Sequence, residues 1–171
     1  MVSLVLGGAA SGKSAFAEDL ILAAPSRPLV YAATMEPWGE EAQKRIARHR
    51  ALRAGKGFVT FEAPRAANLA EIPEGCAVLL ECLTTLTANE CFSVGFDGAE
   101  KRLLAGVEAL LRRCGDAVLV SGDLFADGYT YPPETERYLS VLAAVNGELA
   151  AQSDRVIEVC CSIPIFHKGE A

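Results

Sequence analysis

The run Gly7-Gly8-Ala9-Ala10-Ser11-Gly12-Lys13-Ser14 constrains this chain more than any other feature. It matches G-x-x-x-x-G-K-[ST] and stands between an apolar run over residues 2–6 and a helical pattern over 13–24. Such a loop needs both neighbours, because a strand carries it to the edge of a sheet and a helix begins where it ends. Small or absent side chains at Gly7, Gly8 and Gly12 let successive backbone N–H groups converge on phosphate oxygens. The helix contributes the positive end of its dipole. Lys13 supplies a mobile cation for the β- and γ-phosphates, and the Ser14 hydroxyl is a ligand for Mg²⁺. A glycine-rich turn with a solvated lysine is the competing explanation, but it leaves the flanking strand and helix as coincidence. The whole run, Gly7 through Ser14, is therefore read as the nucleotide-phosphate site.

Short apolar runs and helical stretches alternate through the rest of the chain. Strands are expected over residues 29–33, 58–61, 77–80, 117–120 and 156–160, the last of these as the final strand. Helices are expected over 13–24, with Phe16, Leu20 and Ala23/Ala24 on the buried face, over 101–114 through Leu103, Leu104, Val107, Leu110 and Leu111, and over 134–152. Residues 39–54 are helical by composition but carry only Ile46 and Leu52 as large apolar side chains, which suits a helix bordering a site or a subunit. Strands apolar from end to end require cover on both faces, and with helices between them this predicts a parallel α/β sheet. Nothing resembling a repeat or linker divides the chain, so one domain over residues 1–171 is expected.

The chain has 16 Lys+Arg against 22 Asp+Glu, a formal charge of −6, and no basic block. That balance argues against a duplex nucleic-acid footprint and leaves small anionic ligands held by local donors. No segment is apolar for long enough to span a bilayer, and the opening residues lack the basic leader of a secretory signal. None of Cys76, Cys82, Cys91, Cys114, Cys160 and Cys161 forms a C-x-x-C pair; Cys76, Cys82 and Cys160 lie in apolar runs, where cysteine packs as a small hydrophobe. A reducing cytoplasm is the expected compartment, with the vicinal Cys160-Cys161 as the one pair to test for redox or metal chemistry.

A phosphate loop usually works with an acid at the end of a neighbouring buried strand. Glu81, directly after Val78-Leu79-Leu80, is the first candidate to hold Mg²⁺ with Ser14, and Asp123 after Val118-Leu119-Val120 is the second. His49 forms another candidate constellation: Glu41, Arg45, His49 and Arg53 share a helical face at four-residue spacing. A neutral imidazole attacks phosphorus well, and guanidinium groups nearby, Arg50 among them, favour its neutral form and bind the phosphate attacked. A solvated histidine on a charged helix is the plainer alternative, and His167 is read as an ordinary surface residue.

Together these segments resemble the adenosylcobinamide kinase/adenosylcobinamide-phosphate guanylyltransferase family of cobalamin nucleotide-loop assembly. The resemblance rests on residues 6–14, Tyr31-Ala32-Ala33-Thr34, Glu40-Glu41, residues 45–53, Thr60-Phe61-Glu62-Ala63-Pro64 and Leu79-Leu80-Glu81-Cys82-Leu83-Thr84-Thr85. It implies a RecA-like, three-layer P-loop NTPase fold with a mostly parallel sheet, and a homotrimer with sites near subunit boundaries. It implies two reactions: phosphorylation of adenosylcobinamide, and guanylyl transfer from GTP to adenosylcobinamide phosphate through a guanylyl-histidine. By motif His49 matches the nucleophile, while Thr34, Glu62 and Glu81 match positions associated with the guanine nucleotide. GTP, with either ATP or GTP as the phosphoryl donor, and a corrinoid would be the ligands.

The second half departs from the family pattern. Ser121-Gly122-Asp123-Leu124-Phe125 stands where Thr-Asn-Glu-Val-Gly is usual, and Tyr138-Leu139-Ser140 replaces a Phe-Arg-Asp segment, although Val145-Asn146 is retained. Ala54-Gly55 replaces the proline expected after Arg53, and the tryptophan usual nearby is missing. Two other readings therefore stand beside the bifunctional enzyme: a P-loop kinase for another small hydroxylated metabolite, and a GTP-binding regulatory module without turnover.

Overall fold

The computed structural model of the chain describes residues 1–36, 39, 40, 43, 44, 46, 47, 51, 55–125 and 127–170. The apolar runs form β1 (Val2–Gly7), β2 (Leu29–Ala33), β3 (Phe58–Glu62), β4 (Ala77–Glu81), β5 (Asp116–Gly122) and β6 (Arg155–Cys160). These six strands run parallel, and a seventh, β7 (Ile163–Lys168), pairs antiparallel with β6. The sheet order is β3-β2-β4-β5-β1-β6-β7, so β1 delivers the phosphate loop close to the middle of the sheet. The helices are α1 (Lys13–Leu22), α2 (Leu83–Asn89), α3 (Ala99–Arg113) and α4 (Pro133–Gln152). Between residues 39 and 51 the described positions are helical, as their composition predicts.

Alternation along the strands sorts the core into two halves. Leu4, Val78, Leu80 and Leu119 pack with Leu103, Val107 and Leu110 of α3 and with Val145 and Leu149 of α4. Val5, Leu79, Val118, Val120 and Ile157 face Ala17 and Ile21 of α1. Helices thus cover both faces, which is why the central strands are apolar at successive positions.

Four sequence expectations change. The buried apolar stripe of α1 is Ala17 and Ile21, continued past the helix by Ala24, with Phe16 and Leu20 only half-buried, because a small residue at 17 lets the helix approach the sheet. The strand over 156–160 is not the last. β7 was hidden by Pro164, by its exposed side chains, and by a two-residue hairpin turn in which Cys161 and Ser162 take φ of 49° and 64° without glycine or asparagine to signal it. Cys160, at the end of β6, is exposed rather than packed in the core. Helix α2 was also unseen, since three threonines in seven residues give it little intrinsic propensity.

Candidate nucleotide site

The phosphate loop leaves β1 at Gly7 and enters α1 at Lys13, with Ala10 and Gly12 in the left-handed region at φ 57° and 93°. Among the described residues no side chain caps α1, so its first N–H groups point into the loop without an internal acceptor. The loop is fastened from behind. Gly7 O accepts from Asp123 N–H at 3.0 Å, and Ser11 O accepts from Ser162 N–H in the β6–β7 turn at 2.8 Å. A Cβ at Gly7 would lie 2.6 Å from Val159 O, and one at Gly12 would lie 2.6 Å from Ser162 Oγ. A Cβ at Gly8 would meet none of the described residues within 4 Å. Two of the three glycines are therefore required by the hairpin behind the loop as well as by any phosphate in front of it. In the same turn the Cys160 thiol is pushed above its ordinary range by its hydrogen bond with Cys161.

Lys13 folds back over the loop, its Nζ donating to Gly8 O at 3.0 Å. Beyond it lies a cavity of about 240 Å³ at the carboxyl ends of β2, β3, β4 and β5. Five residues singled out from sequence line it together: Lys13, Ser14, Thr34, Glu62 and Glu81. Tyr31, Met35, Ile46, Thr60, Cys82 and Thr85 complete most of the wall. Parallel register explains the convergence, since Ala33 pairs with both Glu62 and Glu81 and so brings the last residues of β3 and β4 level. Tyr31 donates its hydroxyl hydrogen to Glu81 Oε2 at 3.3 Å, holding one carboxylate oxygen in place.

The floor of this cavity is a satisfied polar network. The buried Thr34 hydroxyl accepts from Cys82 N–H at 2.9 Å and lies 3.1 Å from both Glu81 O and Cys82 O. Asn89 of α2 donates to Thr34 O at 2.8 Å and to Pro64 O at 3.0 Å. These contacts tie the segments after β2, β3 and β4 to one another, and no single one of those segments predicts them.

Of the remaining candidates, Asp123 lines a different cavity from Glu81. His49 and Arg50 lie outside the described residues, although Ile46, three positions earlier, lines the cavity. For a divalent cation the cavity offers the Ser14 hydroxyl and the Glu81 carboxylate, both hard oxygen donors. Among the described residues there is no cluster of three or more His, Cys, Asp or Glu side chains, so such an ion would be held largely by phosphate and water oxygens, as Mg²⁺ usually is.

The family model described as cobinamide kinase / cobinamide phosphate guanyltransferase matches residues 3–166. The chain belongs to this family. Among curated members of this cobinamide kinase/guanyltransferase family, the bifunctional adenosylcobalamin biosynthesis protein CobU of Salmonella typhimurium is 30% identical, over 96% of this chain and 98% of its own length. CobP of Pseudomonas aeruginosa, with the same description, is 32% identical over 99% of both chains. The match therefore runs through the divergent second half as well as the first. Among solved structures, an ATPase of the type III secretion system superposes with a TM-score of 0.53 at 16% identity, over 92% of this chain and 51% of that one. A KaiC-like protein of Pyrococcus horikoshii OT3 gives 0.50 at 12%, over 92% and 71%. At such identities the likeness is one of fold, an α/β P-loop architecture. No helix among the described residues is long and apolar enough to cross a membrane.

Proposed function

We propose that this chain phosphorylates adenosylcobinamide from a nucleoside triphosphate, and then transfers GMP from GTP to adenosylcobinamide phosphate through a guanylyl-His49 intermediate. The observation that carries the reading is the cavity shared by Lys13, Ser14, Thr34, Glu62 and Glu81, in a chain that belongs to the cobinamide kinase/guanyltransferase family. One domain over residues 1–171 would serve both steps, in the cytoplasm and as a homotrimer.

Backbone N–H groups of residues 7–14 bind the phosphates, and Lys13 swings from Gly8 O to neutralise charge between the β- and γ-phosphates. Ser14 and Glu81 would hold Mg²⁺, which offsets phosphate charge during transfer. In the kinase step the acceptor hydroxyl oxygen bonds to the γ-phosphorus as the bond to the β,γ-bridging oxygen breaks. In the second reaction a ring nitrogen of His49 bonds to the α-phosphorus of GTP and pyrophosphate leaves. A phosphate oxygen of the acceptor then displaces the imidazole, giving adenosylcobinamide-GDP and restoring His49. Imidazole leaves phosphorus readily, so one hard displacement becomes two easier ones. Thr34 and Glu62 would contact the guanine nucleotide, and Arg50 its phosphates.

Incubation with Mg²⁺ and GTP labelled at the α-phosphate tests this directly. Acid-labile, alkali-stable label on the denatured protein, absent from His49→Ala, is the expected result. No covalent label despite measurable GTP binding would overturn the guanylyltransferase step.

A further inference from the structure

On the other side of the loop is a second cavity, of about 360 Å³, that no motif announces. Asp123, Phe125, Ala143, Asn146, Glu158 and His167 line it, from the end of β5, from α4 and from the β6–β7 pair. It adjoins the first peptide of the loop, because Asp123 N–H donates to Gly7 O at 3.0 Å.

Asn146 is its deciding feature. Only 8% of this residue is exposed, and its side-chain oxygen has no hydrogen-bond partner among the described residues. A buried amide left unpaired costs stability, so its persistence beside a cavity points to a ligand that completes it. The other polar lining groups are the Asp123 carboxylate and the Glu158–His167 pair, 2.9 Å apart. Among the described residues no lysine or arginine lines the space, so a phosphate group would meet carboxylates without a compensating cation from them. Amide N–H and hydroxyl groups suit this lining. A neighbouring hollow shares Phe125 and Ala143 and continues the surface past Leu124 and the exposed Tyr129, giving room and apolar contact for a molecule much larger than a nucleobase.

We infer that this cavity binds the acceptor of the kinase step, a bulky molecule bearing carboxamide and hydroxyl groups, with Asn146 as its hydrogen-bonding floor. The inference rests on the kinase reading above and adds to it the place where that substrate sits. Nucleotide on the loop would then lie between its two cavities.

The test is equilibrium binding of adenosylcobinamide, and separately of GTP with Mg²⁺, to the full chain and to Asn146→Leu and Ala143→Trp. Ala143 is exposed on α4, so its replacement blocks the cavity without disturbing the core. Both variants are expected to weaken adenosylcobinamide binding tenfold or more while GTP affinity stays within twofold. If Asn146→Leu does not fold, Ala143→Trp decides alone. Unchanged adenosylcobinamide affinity in folded variants would overturn the inference and leave the functional reading intact. Weakened GTP binding would also overturn it, by assigning the cavity to the nucleoside. A wild-type chain that binds GTP but not adenosylcobinamide would instead refute the functional reading, and the acceptor site with it.

Discussion

The two cavities beside the phosphate loop treat their buried polar groups in opposite ways. On the β2–β4 side the Thr34 hydroxyl and the Asn89 amide N–H groups are engaged, bridging three strand ends before any ligand arrives. On the α4 side Asn146 is nearly as buried, yet its oxygen has no hydrogen-bond partner among the described residues. The first arrangement stabilises the fold and preforms a site. The second spends stability on a group that only an incoming molecule satisfies, the pattern expected where specificity outweighs packing.

The largest effect should come from the phosphate loop that lies between the two sides. Lys13→Ala is expected to lower phosphoryl and guanylyl transfer by at least about 10²–10³-fold, the scale of losing one preorganised charge-stabilising donor. Steady-state rates for each half reaction check it, and near-normal rates would mean that the loop does not hold the reacting phosphates. His49→Ala should separate the reactions: guanylyl transfer disappears, while the kinase step, which is a direct displacement, keeps most of its rate. Equal loss of both with the fold intact would make His49 a binding residue.

Legibility follows the same division. The loop was readable because its chemistry is spelled in eight consecutive residues, and the central strands because both their faces are buried. Glu81 could be picked out since it directly follows an apolar strand, and the structure sets it in the same cavity as Lys13 and Ser14. Thr34 and Glu62 rested on resemblance alone, since nothing local distinguishes a threonine after β2 from any other; parallel register with β4 makes it special. Asn146 was visible only as a retained residue in a departing segment. Its meaning depends on the fold setting α4 beside Leu6 of β1 and Glu158 of β6 around one cavity, a long-range fact. The hairpin behind Gly7 and Gly12 escaped notice because its turn uses Cys161 and Ser162 in conformations usually left to glycine or asparagine.

The engaged side can be broken by one atom. Thr34→Val keeps the shape of the side chain but removes the acceptor for Cys82 N–H, a part-buried donor packed on the buried Thr34. Leaving such a group unpaired costs about 1–3 kcal/mol. Urea unfolding without ligand should register that loss through a lower midpoint at unchanged slope. Stability equal to wild type would show that the network merely fills space.

The smallest effect, and the sharpest, belongs to Asn146→Leu measured the same way. Removing an unpaired buried amide forfeits no hydrogen bond to its oxygen, and leucine restores apolar contact with the surrounding core. The extra volume of leucine has somewhere to go, because the residue borders a cavity of about 360 Å³. The variant should therefore match wild type or exceed it by up to about 1 kcal/mol, against the roughly 1–3 kcal/mol lost at Thr34. Two buried polar residues of similar exposure would then differ in the sign of their contribution, with the difference set by hydrogen bonding and not by depth. A loss above about 2 kcal/mol for Asn146→Leu would mean that its amide is already satisfied in the free protein, and the contrast between the two sides of the loop would collapse.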